Sequence, residues 1–275
     1  MPTINSWAEA SSEKLRQLGI KSARLDAEII LAHTLRKPRT YLHAHGDDTL
    51  TEREVEIANA RLDLRLDHVP IAYIIGHKEF YGRRFSVTTA TLVPRPESED
   101  MIDELKKLAP KNLALFDEPY RIVDVGTGTG CLGITAKLEL PDSDVTLLDI
   151  SPYALKVAAS NASRHDVEVR IIKSDLLQNY PFKANVIIAN LPYVDRSWDR
   201  SKETSHEPEL ALFADNEGKA LIIRLIDQSI FSLIPGGYLL LESDPVQHAD
   251  IISYANTKGF KHIKTYKYII VLQKI

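Results

Sequence analysis

The sequence has very little cysteine, because Cys131 is the single cysteine among its 275 residues. A disulfide framework needs pairs of cysteines and a cysteine metal cluster needs several, so both are excluded within this chain. His43 and His45 are close enough in sequence to share a metal ion, but no third ligand follows at a suitable spacing. We therefore expect no metal site.

An excess of basic residues and a long apolar run are also missing. With 34 Lys and Arg against 38 Asp and Glu, the net charge of -4 gives no overall signal for nucleic acid, and we expect no stable nucleic-acid binding. No apolar run approaches the roughly 20 residues of a membrane-spanning helix, and the first residues lack the pattern of a secretory signal. We expect a cytoplasmic protein without membrane association.

What the sequence does contain begins with helical periodicity. Apolar residues recur at helical spacing over 5–19, 23–36 and 51–67, and Thr51 and Glu54 have the spacing of a capping box. These segments predict a small helical domain over residues 1–69.

The pattern changes after residue 70. Ile71, Tyr73 and Ile75 alternate with other residues, and further apolar positions follow around Gly82, so residues 70–93 are predicted to form a β-hairpin. In the next stretch, TLVPRPESE (91–99), two prolines force an extended backbone around Arg95. This stretch is either a rigid linker or a segment that positions Arg95 and Glu97 beside a site.

From Ser98 onward the pattern predicts an α/β domain. A helix is expected up to residue 108 and a loop over 109–120. Apolar strand candidates then alternate with helical patterns, which is typical of parallel βαβ units. The last stretch, 260–275, predicts an antiparallel hairpin with a very short turn near Lys267. The parallel strand candidates are residues 121–125, 145–149, 168–172, 185–189 and 237–242.

The stretch IVDVGTGTGCLG (122–133) reads as a strand, a glycine turn and a helix, which predicts a cofactor site. It contains the GxGxxG pattern of dinucleotide sites, and Asp149 follows about 20 residues later, where a ribose-binding carboxylate belongs. This pattern alone leaves NAD and S-adenosylmethionine (AdoMet) open. Asp124 within the strand and the antiparallel C-terminal hairpin favour AdoMet.

A second motif, NLPY (190–193), directly follows the fourth strand of this α/β pattern. Asn and Pro both favour turns, so a plain turn is one interpretation. The interpretation we favour is chemical: the Asn190 side-chain oxygen and the Leu191 carbonyl would each accept a hydrogen bond from a target NH₂ group. Tyr193 would pack on the planar group that carries this nitrogen.

The order and spacing of these motifs resemble the HemK/PrmC family, the protein-(glutamine-N5) methyltransferases of peptide-chain release factors. The resemblance extends over nearly the whole chain. It rests on LDAEIILAH (25–33), PIAYIIGHKEFYGRRFSV (70–87), TLVPRPESE (91–99), DVGTGTG (124–130), NLPY (190–193), HEPELAL (206–212) and GGYLLLE (236–242).

The resemblance implies an α/β class I AdoMet-dependent methyltransferase, with a Rossmann-like seven-stranded sheet, an antiparallel C-terminal hairpin and a small N-terminal helical domain. It divides the chain into a substrate-docking domain (1–69), a β-hairpin with a Pro-rich linker (70–96) and the methyltransferase domain (97–275). The reaction it implies is methyl transfer from AdoMet to the glutamine side-chain nitrogen of the release factor's Gly-Gly-Gln motif, by a chain that we expect to be monomeric.

The same resemblance assigns roles to residues of this sequence. The catalytic group is Asn190, Pro192 and Tyr193. The substrate-binding group is Arg95, Asn190, Leu191, Pro192 and Tyr193. The cofactor-binding group is Gly126, Thr127, Gly128, Thr129, Gly130, Asp149, Asp175, Leu176 and Asn190.

Two departures from the family pattern keep alternatives open. The family usually has Asn-Pro-Pro-Tyr, and here Leu191 replaces the first proline. Since Asn-Leu-Pro-Tyr also resembles the motif of rRNA adenine dimethyltransferases, a nucleic-acid adenine-N6 methyltransferase is the alternative, and a binding module without transfer activity is another. The turn of the C-terminal hairpin is also shorter than in the family.

Overall fold

The computed structural model describes residues 1–110, 113, 118–199 and 201–275. Its backbone divides into two compact units. The first comprises Met1–Gly76 and Ser201–His206, and the second comprises His77–Arg200 and Glu207–Ile275. Half of the predicted loop at 109–120, residues 111–112 and 114–117, lies outside the described residues. Among the residues that are described, no helix combines the length and the apolar character that crossing a membrane requires.

The first unit is helical. Its core contains Trp7, Leu15 and Ile30, all of which are buried. Capping boxes at Thr3 and Thr51 supply side-chain partners for free N–H groups at two helix starts, and the second of these confirms the capping box predicted from the sequence. The helices of this unit are α1 (Ile4–Gln17), α2 (Ala23–Leu35), α3 (Arg39–Ala44), α4 (Glu52–Leu66) and α5 (Ile71–Ile75).

The prediction of a β-hairpin over 70–93 is wrong in its first part. Ile71–Ile75 forms the short helix α5, and Gly76 ends it in the left-handed conformation, with φ of 75°. Three alternating apolar residues are too few to distinguish a strand from a helical turn. The hairpin itself is shorter, with β1 (His77–Phe80) paired to β2 (Arg83–Ser86).

The second unit confirms the predicted α/β fold. Its seven-stranded sheet has the order β5-β4-β3-β6-β7-β9-β8. The first five of these strands pair in parallel, whereas β9 is antiparallel to both β7 and β8, as the C-terminal hairpin predicted. The strands are β3 (Tyr120–Val125), β4 (Ser143–Asp149), β5 (Arg170–Lys173), β6 (Ala184–Ala189), β7 (Leu233–Glu242), β8 (Phe260–Tyr266) and β9 (Ile269–Lys274).

Helices cover both faces of this sheet. The central strands β3 and β6 are buried along nearly their whole length, which explains why their sequences are mostly apolar. Separate hydrophobic clusters lie on the two faces of the sheet. The helices of this unit are α6 (Glu99–Leu108), α7 (Cys131–Glu139), α8 (Pro152–Arg164), α9 (Ala220–Ser232) and α10 (His248–Thr257).

The parallel strands bring their carboxyl ends to one edge of the sheet, where ligand sites of open α/β sheets are found. The glycine turn follows β3, Asp149 ends β4 and Asn190 follows β6. Motifs that are far apart in the sequence therefore meet at this edge.

Candidate functional site

A cavity of about 440 Å³ lies at this edge of the sheet, within the second unit. Its volume falls in the range of small-molecule sites. Much of the lining is apolar, with a few polar groups from the strand ends. The predicted site residues that line it are Arg95, Gly126, Thr127, Gly128, Thr129, Asp149, Asp175, Leu176, Asn190, Leu191 and Pro192.

Gly130 and Tyr193, both of which the structure describes, are absent from this lining. Gly130 packs inward instead, since a Cβ there would lie 2.7 Å from Ile134 and 3.2 Å from Ala158. Its φ of 82° places it in the left-handed region, where it caps the start of α7. Gly130 therefore allows the backbone conformation of the turn without lining the cavity.

Asp124 orders the glycine turn. It is fully buried, and its Oδ2 accepts hydrogen bonds from the Thr127 hydroxyl at 2.5 Å and the Gly133 N–H at 2.9 Å. Among the described residues its Oδ1 has no partner. Burial raises the pKa of Asp124 to about 6, and the hydrogen bonds from Thr127 and Gly133 oppose that effect. This carboxyl thus holds the glycine turn to the start of α7.

Gly128 leaves the space that a cofactor needs. A Cβ at this position would have no contact closer than 4.0 Å, so its Cα faces open volume in the cavity. Its N–H donates to Asp149 Oδ2 at 2.9 Å, while Asp149 Oδ1 accepts from the Ser151 N–H at 2.9 Å. Each carboxylate oxygen keeps a free lone pair for a ligand hydroxyl. Burial raises the pKa of Asp149.

These features fit the predicted cofactor. An open glycine turn gives room for the amino-acid end of AdoMet, and a half-buried carboxylate at the end of β4 gives acceptors for its ribose hydroxyls. Asp175 accepts a hydrogen bond from Arg224 at 2.7 Å, and Leu176 is buried beside it with a left-handed φ of 51°. The roles of these residues toward the cofactor remain predictions.

The structure gives Asn190 a fixed partner. Its Nδ2 donates to the Ser98 hydroxyl at 2.9 Å, and both residues line the cavity. The NH₂ end of the amide thus faces the protein. The Oδ1 atom, which would accept a hydrogen bond from a substrate N–H, is left for the cavity.

Leu191 fills the place of the usual proline by packing against the glycine turn. It is 4% exposed, and a Cβ on Gly126 would lie 2.8 Å from its side chain. Since Gly126 also has φ of 72°, both the conformation and the space require glycine there. The Leu191 side chain therefore joins the substrate motif to the cofactor turn.

Tyr193 points away from the cavity toward a buried acid. Its hydroxyl donates to Glu242 Oε1 at 3.3 Å. Burial raises the pKa of Tyr193 strongly, and the nearby Glu242 charge adds to that effect. The tyrosine is thus a neutral hydrogen-bond donor. Its predicted packing on the target group is not tested by this arrangement and stays a prediction.

Arg95 is held by an acidic partner. Its guanidinium pairs with Glu207, whose other carboxylate oxygen accepts the Val93 N–H at 3.1 Å. The Glu207 side chain is 2% exposed, so the ion pair ties TLVPRPESE to the later HEPELAL segment. Arg95 lies in the lining of the cavity, and its substrate-binding role remains a prediction.

Sequence reasoning missed several residues of this site. Ser98 and Glu242 both lay within motifs that the sequence made visible, TLVPRPESE and GGYLLLE, yet neither received a role. Ile150, Tyr153 and Leu210 line the cavity and are exposed by 48%, 66% and 65%. Only the folded chain shows that they flank one opening. No group of three or more metal-ligating residues occurs in the described parts of the chain.

Solved structures with a similar fold include two methyltransferases. One from Pyrococcus furiosus has a TM-score of 0.51 at 15% identity, covering 82% of this chain and 98% of that chain. A 16S rRNA methyltransferase from T. thermophilus has a TM-score of 0.53 at 16% identity, covering 72% of this chain and 49% of that chain. At these identities the likeness concerns the fold.

Two family models match the sequence. The PrmC N-terminal domain matches residues 6–76, and the methyltransferase small domain matches residues 98–207. These matches cover the helical segment and the part of the chain that contains the glycine turn and NLPY.

Full-length relatives give a more specific match. The release factor glutamine methyltransferase of Koribacter versatilis is 34% identical over 99% of both chains, and that of Leptospira interrogans is 36% identical over 96% of this chain and 94% of the relative. A bifunctional methyltransferase of Rickettsia felis is 34% identical over 96% of this chain, which spans 56% of that relative's length.

These matches confirm the predicted class of enzyme, a methyltransferase that uses AdoMet as its cofactor. They also confirm the family that the motifs predicted. With its helical segment, its methyltransferase segment and full-length similarity to these relatives, the chain belongs to the release factor glutamine methyltransferase family.

Proposed function

We propose that this enzyme methylates the side-chain nitrogen of the glutamine in the Gly-Gly-Gln motif of a peptide-chain release factor, in the cytoplasm. One observation carries this proposal most directly. The amide of Asn190 lines the same cavity as the open Gly128 turn, and its NH₂ end is occupied by Ser98. A hydrogen-bond acceptor for an incoming amide therefore lies beside the place where the cofactor fits.

The residues of the chain would act mainly by positioning. Asn190 Oδ1 and the Leu191 carbonyl would each accept one N–H of the glutamine amide, which directs the nitrogen toward the cofactor turn. When bound there, AdoMet would supply a methyl group on a positively charged sulfur. The glutamine nitrogen would gain the N–C bond as the S–C bond breaks, and it would lose one proton to water. The apolar lining, including Leu191 and Leu210, excludes water from the reacting groups.

We further propose that the helical unit helps to dock the release factor. Its residues 6–76 match the PrmC N-terminal domain, and curated relatives that match over nearly their full length are named release factor glutamine methyltransferase. Within this unit, buried Arg65 pairs with Asp26 at 2.7 Å and also with Glu203. Residues 201–206 come after the NLPY motif in the sequence. The pairing of Glu203 with Arg65 holds this segment in the helical unit.

The experiment that tests the proposal replaces Asn190 by alanine. We expect methyl transfer to the release factor to be abolished, because the acceptor for the glutamine N–H is lost, while AdoMet affinity stays close to that of the unmodified enzyme. Transfer of labelled methyl groups measures the first quantity and calorimetry measures the second. Full activity of the Asn190→Ala variant would contradict the assignment.

A matched control is Asn179→Ala, which removes an exposed asparagine of the same unit outside the cavity lining. This variant should keep full transfer activity. The same assay with RNA or DNA as acceptor tests the alternative. Methylation of adenine in nucleic acid, with the release factor unmodified, would replace our proposal by the adenine-N6 assignment.

A further inference from the structure

Glu242 is a buried carboxyl that the reaction described above does not use. It ends β7 and is 1% exposed. Its Oε1 accepts a hydrogen bond from the Tyr193 hydroxyl at 3.3 Å, whereas its Oε2 has no hydrogen-bond partner among the described residues. A buried carboxyl with an oxygen left over is costly to maintain. We therefore expect this carboxyl to have a role in the neighbouring candidate site.

Glu242 lies near Ser98 and near two residues of the NLPY motif. Tyr193 donates a hydrogen bond to this carboxyl, and Ser98 and Asn190 are close enough to lower its pKa. Ser98 also accepts the Nδ2 hydrogen of Asn190 at 2.9 Å. Ser98 is thus a neighbour of both the carboxyl and the amide that faces the cavity.

The ionisation state of Glu242 decides which way we expect the Ser98 hydroxyl to point. An ionised carboxylate only accepts hydrogen bonds, and Glu242 Oε2 has no partner among the described residues. We therefore expect the Ser98 hydroxyl to turn its hydrogen toward Glu242 and its lone pairs toward Asn190. The NH₂ end of the amide must then face Ser98, and Oδ1 must face the cavity. A protonated or amide side chain at 242 is able to donate to Ser98, which removes this constraint.

We propose that Glu242 is a positioning residue that, through Ser98, holds the Asn190 amide with its oxygen toward the substrate. The proposal rests on the function proposed above and adds a residue to it. Glu242 touches neither the substrate nor the cofactor. It acts by selecting one of the two amide orientations of Asn190.

Ionisation of Glu242 gives this role a pH dependence. Burial raises its pKa to about 7 and the charge of Glu97 adds to that effect, while the neighbouring Ser98, Tyr193 and Asn190 oppose it. Of the other groups near it, Tyr193 and Cys131 have pKa values raised by burial, so both stay protonated at neutral pH. The orientation is therefore enforced above about pH 7 and relaxed below it.

The charged and titratable groups that face this network come from several elements. Glu97 lies on the short 3₁₀ helix at Pro96–Ser98, and Cys131 begins α7. Asp244 and Tyr268 face Tyr193 from the segments after β7 and β8.

The test compares Glu242→Gln with the unmodified enzyme. The glutamine keeps the shape of the side chain but is able to donate to Ser98. We expect kcat for the release factor at pH 8 to fall by about 10- to 100-fold, the range for losing one charge-assisted hydrogen bond, with unchanged AdoMet affinity. The decline of wild-type kcat below pH 7 should be absent in the variant. The kcat of the Ser98→Ala variant should fall by a similar factor. The Ser98→Thr variant should keep a kcat close to that of the unmodified enzyme, because threonine retains the hydroxyl.

Glu104→Gln is the matched control. Glu104 is another glutamate of the same unit that is 1% exposed, and it pairs with Lys107 and Lys264 away from the cavity. This variant should keep the wild-type pH profile. If Glu104→Gln and Glu242→Gln shift the profile alike, the effect is a general loss of stability and the positioning role is refuted.

A second readout separates this proposal from the proposed function. In protein labelled with ¹⁵N at asparagine, the Asn190 side-chain NH₂ signal should shift with a midpoint near pH 7, and this shift should disappear in Glu242→Gln. A signal that does not titrate in the unmodified enzyme would overturn the positioning role. If the signal titrates but the unmodified enzyme does not methylate the release factor, the positioning role of Glu242 stands and the proposed function is refuted.

Discussion

Replacement of Asp124 by asparagine gives a quantitative test of how the glycine turn is held. Asp124 is fully buried, and burial raises its pKa from 3.8 to about 6. The folded protein thus holds this proton more tightly than the unfolded chain does. Stability contributed by the neutral form is present below pH 3.8 and is lost as the pH rises toward 6.

The size of the effect follows from the pKa change. A difference of about two pH units corresponds to about 3 kcal/mol of unfolding free energy, and about 1.4 kcal/mol of that lies between pH 5 and pH 7.5. Asparagine does not titrate, so the Asp124→Asn variant lacks this contribution. From pH 5 to pH 7.5, the unfolding free energy of the variant should therefore rise by about 1.4 kcal/mol relative to that of the unmodified protein.

The absolute stability of the variant is a separate matter. Its amide oxygen can still accept from Thr127 and Gly133, but its NH₂ group would occupy the place where Oδ1 is now buried without a partner. Each unsatisfied N–H donor costs about 1–3 kcal/mol. Because this cost does not change with pH, it cancels when the two pH values are compared.

The assay is urea denaturation of both proteins at pH 5 and pH 7.5, at one ionic strength and without AdoMet. The m-values show whether the two-state description holds for each protein. An equal stability difference at both pH values would refute the reasoning, because it would mean that Asp124 has the same pKa in the folded and unfolded states.

Three further predictions concern other parts of the chain. Gly133→Ala places a methyl group 2.2 Å from the Leu147 side chain and should cost about 1–3 kcal/mol in urea denaturation. Arg65→Ala leaves buried Asp26 without its ion pair and should cost about 3–5 kcal/mol, measured in the same way. Burial raises the pKa of the Cys131 thiol to about 12, so a thiol reagent at pH 8 should modify Cys131 only after unfolding.

The sequence determined the main elements because their signals are local. The buried strands are mostly apolar, the glycine turn requires glycines with positive φ, and Thr51 and Glu54 form the capping box that their spacing predicts. The alternation of strands and helices predicted parallel pairing, and the last stretch predicted the antiparallel hairpin. Where the local signal was short, at Ile71–Ile75, prediction of a strand was wrong.

The tertiary structure decided which side chains meet. Asn161 on α8 donates to the Thr129 carbonyl at 2.9 Å and bonds both backbone groups of Ser86, so one buried amide joins the glycine turn to the hairpin. Nothing in the sequence around position 161 indicates this. Such contacts depend on distances across the fold, which a local pattern does not contain.

The same distinction applies within the candidate site. The motifs around Gly128 and Asn190 were visible in the sequence, since each needs particular residues at fixed spacing. Their partners Ser98 and Glu242 lie 92 residues from Asn190 and 49 residues from Tyr193. The sequence by itself determined which chemistry the chain carries. Folding decided which groups orient that chemistry, because orientation depends on contacts between strands and loops that are distant along the chain.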